Sequence, residues 1–312
     1  MDLVDKKSVK NLKQPIIEWL KSQLDSQVEI IEAVPLLGST SSDLFTLQIR
    51  EKSRDYQLVL RLLTNHEWLL TEPDLADHEA AALNLAKQSG LSVPEVIAWD
   101  AHGGSCGIPA VLMTAVPGKV NLQPLDFDSW LKQMAEVLNP LHALDAADFG
   151  WQYYSYNKVT TLTPPAWTKH PDMWQHAIEI VNQPPPATKN CYIHRDYHPM
   201  NTLWQGESLS GVVDWVNACR GPGPFDLAWN RLNLMSMYGV KAADRLRDHA
   251  IAICGRDAWH PYWDLMALIE MLPGPPEVYT PWPLFGLNAL SIPLIIQRTE
   301  EYLESIIAQD FN

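Results

Sequence analysis

The chain has 312 residues, 46% of them hydrophobic and 19% charged, and its formal net charge is -14. Such a length and balance describe a globular protein with a sizeable core, of one large domain or two lobes, and exclude a disordered chain. A field of that sign repels nucleic-acid phosphates and anionic membranes, so no nucleic-acid or membrane partner is expected, and it attracts cationic small molecules.

A short amphipathic helix is expected over 14–24, followed by strands at VEIIEAV (28–34), LFTLQIR (44–50) and YQLVLRLL (56–63). The last two flank EKSRD, a hairpin turn. One inserted helix is expected from about Asp74 to Gln88, with Gly90 as its stop. VPEVIAWD (93–100) and PAVLMTAV (109–116) are two more strands. Pro117-Gly118 then breaks the pattern, and the chain becomes mostly helical: 127–143, 170–182, 225–238, 240–254, 258–270 and 288–309. Two strand-like pieces, at 192–194 and 211–215, interrupt the helices.

The expected fold class is therefore α+β with two lobes. Residues 1–116 form a small antiparallel β-sheet with one helix, and residues 117–312 a larger, mostly helical lobe, so that a cleft falls at the hinge. The N-terminus has no apolar signal-peptide core, and no run of about 18 apolar residues suggests a membrane span. Cys106, Cys191, Cys219 and Cys254 form no CxxC pair, which disfavours zinc and dithiol redox sites. Free thiols in a reducing cytoplasm fit best.

The chemistry concentrates in IHRDYHPMNTLW (193–204), directly after a short strand. It brings His194, Arg195, Asp196, His198 and Asn201 together, and Asp214 follows thirteen residues after Asn201. Phosphoryl transfer needs few groups from a protein: a carboxylate to orient and deprotonate a hydroxyl, and oxygen ligands to hold Mg²⁺ against nucleotide phosphates. Asp196 suits the first task, and the Asn201 amide oxygen and Asp214 carboxylate suit the second.

His194-x-Asp196-x-x-x-x-Asn201 followed by Asp214-Trp215 resembles the aminoglycoside phosphotransferase family. So do GPGPFDLAW with Asp226, NPLHALD (139–145) and VLMTAVPG (111–118). The resemblance covers roughly 28–270. It implies the protein-kinase-like fold shared with choline, homoserine, methylthioribose and fructosamine kinases. It also implies ATP or GTP as co-substrate, Mg²⁺ as cofactor and a small-molecule hydroxyl as acceptor. By the same resemblance Asp196 is the catalytic base, and Asn201 and Asp214 are the metal ligands. Glu79 is the helix glutamate that pairs with Arg61 on the third strand. Ser39, Thr40 and Ser41 belong to the loop over the phosphates, and the backbone of Thr114 and Val116 meets the adenine edge. His194 and His198 shape the catalytic loop, and Asp226 ties its backbone.

Two departures stand out. Arg61 stands where kinases place Lys, a planar fork in place of a point charge. GSTSSD (38–43) has one glycine, not the GxGxxG of protein kinases. Both motivate an alternative reading, a catalytically impaired nucleotide-binding protein of the same fold. A protein kinase is disfavoured, since there is no DFG, no APE and no long segment between Asp214 and Asp226. Trp229, Trp259, Trp263, Trp282, Tyr238, Tyr262, Tyr279 and Tyr302, with Asp264, Glu270, Glu277, Glu300 and Glu301, suggest a wall for a cationic acceptor such as an aminoglycoside or amino alcohol. The same aromatics equally suit a helical core.

Overall fold

The computed structural model describes residues 12–25, 27–36, 42–309 and 311. They fall into two compact units, Met1–Gln88 with Ser92–Val116 and Ser89–Leu91 with Pro117–Asn312. The architecture is α+β, as the strand and helix patterns suggest.

The first unit is built on a five-stranded antiparallel sheet of order β1-β2-β3-β5-β4. Its strands are β1 (Val28–Pro35), β2 (Asp43–Glu51), β3 (Arg54–Leu62), β4 (Val96–Asp100) and β5 (Ala110–Thr114). Alternation sorts the two faces. Leu58, Leu60 and Leu62 on β3, with Leu47, Ile49, Ala110 and Leu112, join Ile16, Trp19 and Leu20 of helix α1 (Gln14–Gln23) in one core cluster. Arg61 lies between Leu60 and Leu62 in the strand and so belongs to the other face, against helix α3 (Leu75–Ala86). A further short helix, α2 (His66–Thr71), was not expected. It buries no residue, so it has no apolar periodicity to read. The Asn65 side chain accepting the Trp68 N–H at 3.1 Å caps it.

The second unit is helical, with α4 (Phe127–His142), α5 (Pro171–Val181), α6 (Pro224–Tyr238), α7 (Val240–Cys254), α8 (Pro261–Ile269) and α9 (Ile292–Ile307). Two small antiparallel pairs interrupt them: β6 (Asn190–Ile193) with β9 (Cys219–Pro222), and β7 (Thr202–Gln205) with β8 (Ser208–Val212). The strand expected at 211–215 ends at Val212. Asp214 has φ +67°, which no extended ladder tolerates. Strands β7 and β9 escaped the sequence reading, since four-residue strands carry almost no periodicity.

The chain enters this unit through Gly118, at φ +131°. A Cβ there would lie 2.2 Å from Ser210 Oγ and 3.0 Å from Trp204 N, so only glycine fits. Lys119 then exchanges two backbone hydrogen bonds with Trp204, at 3.0 and 2.8 Å.

Charge is also buried in this helical core. Arg231 on α6 is bound to Asp264 on α8 and donates to Asp244 on α7 at 2.9 Å. Asp264 accepts from Trp259 Nε1 at 2.7 Å and from the Tyr302 hydroxyl on α9 at 3.0 Å. Four helices meet on this one network. Breaking a buried pair strands the remaining charge. Asp264→Ala is therefore expected to lower unfolding free energy by about 3–5 kcal/mol, read from equilibrium chemical denaturation. A loss of the size typical of exposed pairs would refute the assignment.

Candidate active site

The site is organised from below by Asp226, in the first turn of α6 and fully buried. A helix N-terminus favours a carboxylate. One oxygen accepts the Arg195 N–H at 2.7 Å; the other accepts the His194 N–H at 2.9 Å and lies 3.0 Å from His142 Nε2. Arg195, at φ +68°, presents both amides to it. The Arg195 guanidinium is held 4.4 Å from the Tyr154 ring centroid and 4.2 Å from that of Tyr156, and donates to the Tyr154 carbonyl at 2.8 Å. Arg195 is thus tied into protein rather than free for a phosphate. His194 Nε2 lies 3.0 Å from the Val213 carbonyl. A carbonyl only accepts, so that nitrogen carries the proton. Three non-glycine residues have positive φ among the described residues, and two of them, Arg195 and Asp214, flank this loop. Strained backbone of this kind persists where surrounding contacts over-determine it.

Asp196 comes next in the chain, its side chain 28% exposed. Oδ1 accepts the Trp229 indole N–H at 2.8 Å and lies 3.4 Å from His198 Nε2; Oδ2 accepts from Asn201 Nδ2 at 3.2 Å. Burial alone would raise its pKa. The charge and hydrogen bond of His198, the charge of His194 and the Trp229 N–H outweigh it and hold the carboxyl below the usual aspartate value. His198 Nδ1 also lies 3.4 Å from the Met200 nitrogen, within the same turn.

Asn201 donates from Nδ2 to the Asp196 carbonyl as well, at 2.9 Å. Two oxygen acceptors on the nitrogen side orient the amide, so its carbonyl oxygen faces away and is presented as a hard ligand. The Asn201 carbonyl accepts the Val213 N–H at 2.9 Å. Asn201 and Asp214 therefore stand at the same end of the β7–β8 hairpin. One amide oxygen and one carboxylate suit Mg²⁺, which keeps waters and substrate phosphates as its other ligands. Among the described residues no group of three or more His, Cys, Asp or Glu forms a self-sufficient metal cage.

In the first unit Arg61 Nε lies 3.2 Å from Glu79 Oε2, and both residues are almost completely buried. Thr114 ends β5, and its hydroxyl accepts the Glu95 N–H at 2.8 Å. Val116 is the last residue of that unit. Ser39, Thr40 and Ser41 lie outside the described residues.

Half of the aromatic residues named for a cationic acceptor's wall are taken up in packing, and two of the acids are engaged elsewhere. Trp263, Trp282, Tyr262 and Tyr302 are buried, and Asp264 is consumed by Arg231, Trp259 and Tyr302. Glu300 accepts from Thr168 Oγ1 and the Lys169 N–H. Helices that pack on one another bury their aromatics first. Trp229 reaches the loop chemistry, as a donor to Asp196. That role, and the place of His142 beside Asp226, carried no signal beyond the motifs GPGPFDLAW and NPLHALD.

A model of the phosphotransferase enzyme family (APH) matches residues 34–264. The chain belongs to that family, whose members are small-molecule kinases acting on hydroxyl groups. No curated protein sequence matches it. Solved structures share its fold at low identity. One is the apoenzyme of a macrolide 2'-phosphotransferase from Brachybacterium faecium, 15% identical, with 95% of this chain and 99% of that one covered and a TM-score of 0.58. Another is a putative aminoglycoside phosphotransferase from Ralstonia eutropha, 12% identical, with 94% and 98% covered and a TM-score of 0.61. A third is the streptomycin–ATP ternary complex of the aminoglycoside phosphotransferase APH(2")-IIa, 15% identical, with 80% and 86% covered and a TM-score of 0.54.

A depressed Asp196 pKa contributes stability that is present above the ordinary aspartate value and lost as pH falls through the folded one. Carbon NMR of the labelled carboxyl is expected to show Asp196 titrating below the ordinary range. Trp229→Phe, which removes one donor, is expected to move that titration upward. An unmoved midpoint would show that the indole does not hold the carboxylate.

Proposed function

We propose that this protein transfers the terminal phosphoryl group of ATP or GTP to a hydroxyl of a small molecule. The carrying observation is the arrangement around Asp196. Its oxygens are fixed by Trp229, His198 and Asn201, and it stays ionised at neutral pH. In this reading Asp196 accepts a hydrogen bond from the acceptor hydroxyl, aligns it for in-line attack and takes its proton as the new O–P bond forms and the bond from the terminal phosphorus to the bridging oxygen breaks, the nucleoside diphosphate leaving with that electron pair. Asn201 and Asp214 hold Mg²⁺, which when bound neutralises charge on the nucleotide phosphates. In the first unit Arg61, oriented by Glu79, meets phosphate oxygens as a planar fork, and Ser39, Thr40 and Ser41 supply hydroxyls and backbone N–H groups. The backbone at Thr114 and Val116 receives the adenine edge. Residues 1–116 thus serve the nucleotide, and 117–312 the chemistry and the acceptor.

The acceptor class is supported by what the solved relatives handle, macrolides and aminoglycosides such as streptomycin. The net charge of -14 supports a cationic one, an aminoglycoside or amino alcohol. Among the described residues no helix is long and apolar enough to cross a membrane, and all four cysteines are free, which supports a reducing cytoplasm.

The test is nucleotide-diphosphate release with Mg²⁺, using ATP and GTP against aminoglycosides, macrolides, choline, ethanolamine and homoserine. Asp196→Asn is expected to lower kcat by about 10²–10⁴ while nucleotide still binds. A variant as active as the parent would overturn the role given to Asp196. Nucleotide binding with no turnover on any acceptor would favour the impaired nucleotide-binding alternative.

Two further outcomes separate the parts. Asp214→Asn is expected to raise the Mg²⁺ concentration needed for half-maximal rate. Arg61→Ala is expected to raise the nucleotide KM by about tenfold, the loss of one charged hydrogen bond, with the acceptor KM unchanged.

A further inference from the structure

A cavity of about 430 Å³ opens in the second unit, away from the Asp196 side chain. It lies between the end of α4, the segment leading into β6, the N-terminus of α6 at Gly223 and the segment after α7. Its volume is in the range of small-molecule sites. Its polar lining is unusual for a chain of charge -14. Lys189 and Arg256 line it with His142 and His260, and the acidic residue among its lining is Asp257. Both Lys189 and Arg256 are exposed. Trp259 lines it too; its indole N–H is committed to Asp264, and the Arg231 and Arg247 guanidinium carbons lie 5.6 and 5.2 Å from its ring centroid.

We propose that this cavity binds a small organic anion, a phosphate or carboxylate carried on an apolar or aromatic body. The charged group meets Lys189 and Arg256, and the body lies against Trp259. The cavity is also wired to the catalytic loop. His142 lines it and lies 3.0 Å from Asp226, whose oxygens hold the His194 and Arg195 amides. His142 stands between the cavity and Asp226, with Nε2 the nitrogen committed to that carboxylate. An occupant that shifts the His142 ring shifts a contact of the carboxylate that holds two amides of the loop carrying Asp196.

The experiment is calorimetric titration of the full chain with phenyl phosphate, benzoate, inorganic phosphate and, as an uncharged control, phenol. Backbone-amide hydrogen exchange is followed in parallel. Saturable binding of phenyl phosphate or benzoate is expected, at least tenfold weaker in Lys189→Glu/Arg256→Glu, with phenol far weaker than either. The exchange of the His194 and Arg195 amides should change on binding in the parent and not in that variant. Anion binding that survives charge reversal belongs to another site and overturns the proposal. So does phenol binding as tightly as phenyl phosphate, or no saturable binding at millimolar concentration. Should the reversed variant unfold, judged by circular dichroism, Lys189→Gln/Arg256→Gln carries the same test, with a threefold loss or more expected. These readouts involve no nucleotide turnover, so they stand or fall independently of the proposed reaction.

Discussion

The backbone of the loop that carries Asp196 is anchored by one buried carboxylate. Asp226 accepts two consecutive backbone N–H groups and faces a histidine, so both oxygens of this fully buried carboxylate are engaged. A buried charge is tolerable only with such full satisfaction. In return it holds a left-handed turn at Arg195 that a bulky side chain would otherwise avoid. The turn throws Asp196 outward, while its neighbours His194 and Tyr197 stay buried. Removing that anchor would free the turn and misplace Asp196 without touching it.

The arrangement has layers. Asp226 sets the backbone; His194, through the Val213 carbonyl, ties that backbone to the strand that ends before Asp214. Asn201 is held to Asp196 on one side and to Val213 on the other. The three polar residues named for the chemistry are therefore positioned by one another and by the β7–β8 hairpin. The helices beneath are locked by a separate charge network around Arg231 and Asp264. Preorganisation of this kind is what phosphoryl transfer asks of a protein, because there is little covalent chemistry to supply.

The aromatic content shows how composition can mislead. Thirteen tryptophans invite the idea of a cation-binding wall. Most of those near the helical C-terminal half are used for packing, as with Trp174 and Trp263 in the large core cluster. Trp229 points its N–H at the carboxylate proposed as base. Counting residue types gives a supply of chemistry, and only their placement gives its use.

What the sequence by itself determined is the local and periodic part. Strands β1 to β3 and the long helices of the second unit are legible because amphipathic patterns repeat along them. The catalytic loop is legible because His194, Asp196 and Asn201 lie within eight residues, with Asp214 close behind. Tertiary structure decided what no pattern along the chain encodes. His142 meets Asp226 across 84 positions, and the Arg61–Glu79 pair, expected only through the family resemblance, forms across a sheet face and a helix eighteen positions apart. Strands β7 and β9 exist because they pair, and helix α2 because Asn65 caps it. Which acids remain available was decided there too: Asp264, an acceptor candidate by sequence, is the counter-ion of Arg231. Burial and long-range pairing are properties of the folded surface, and a one-dimensional pattern carries them only where the same spacing repeats.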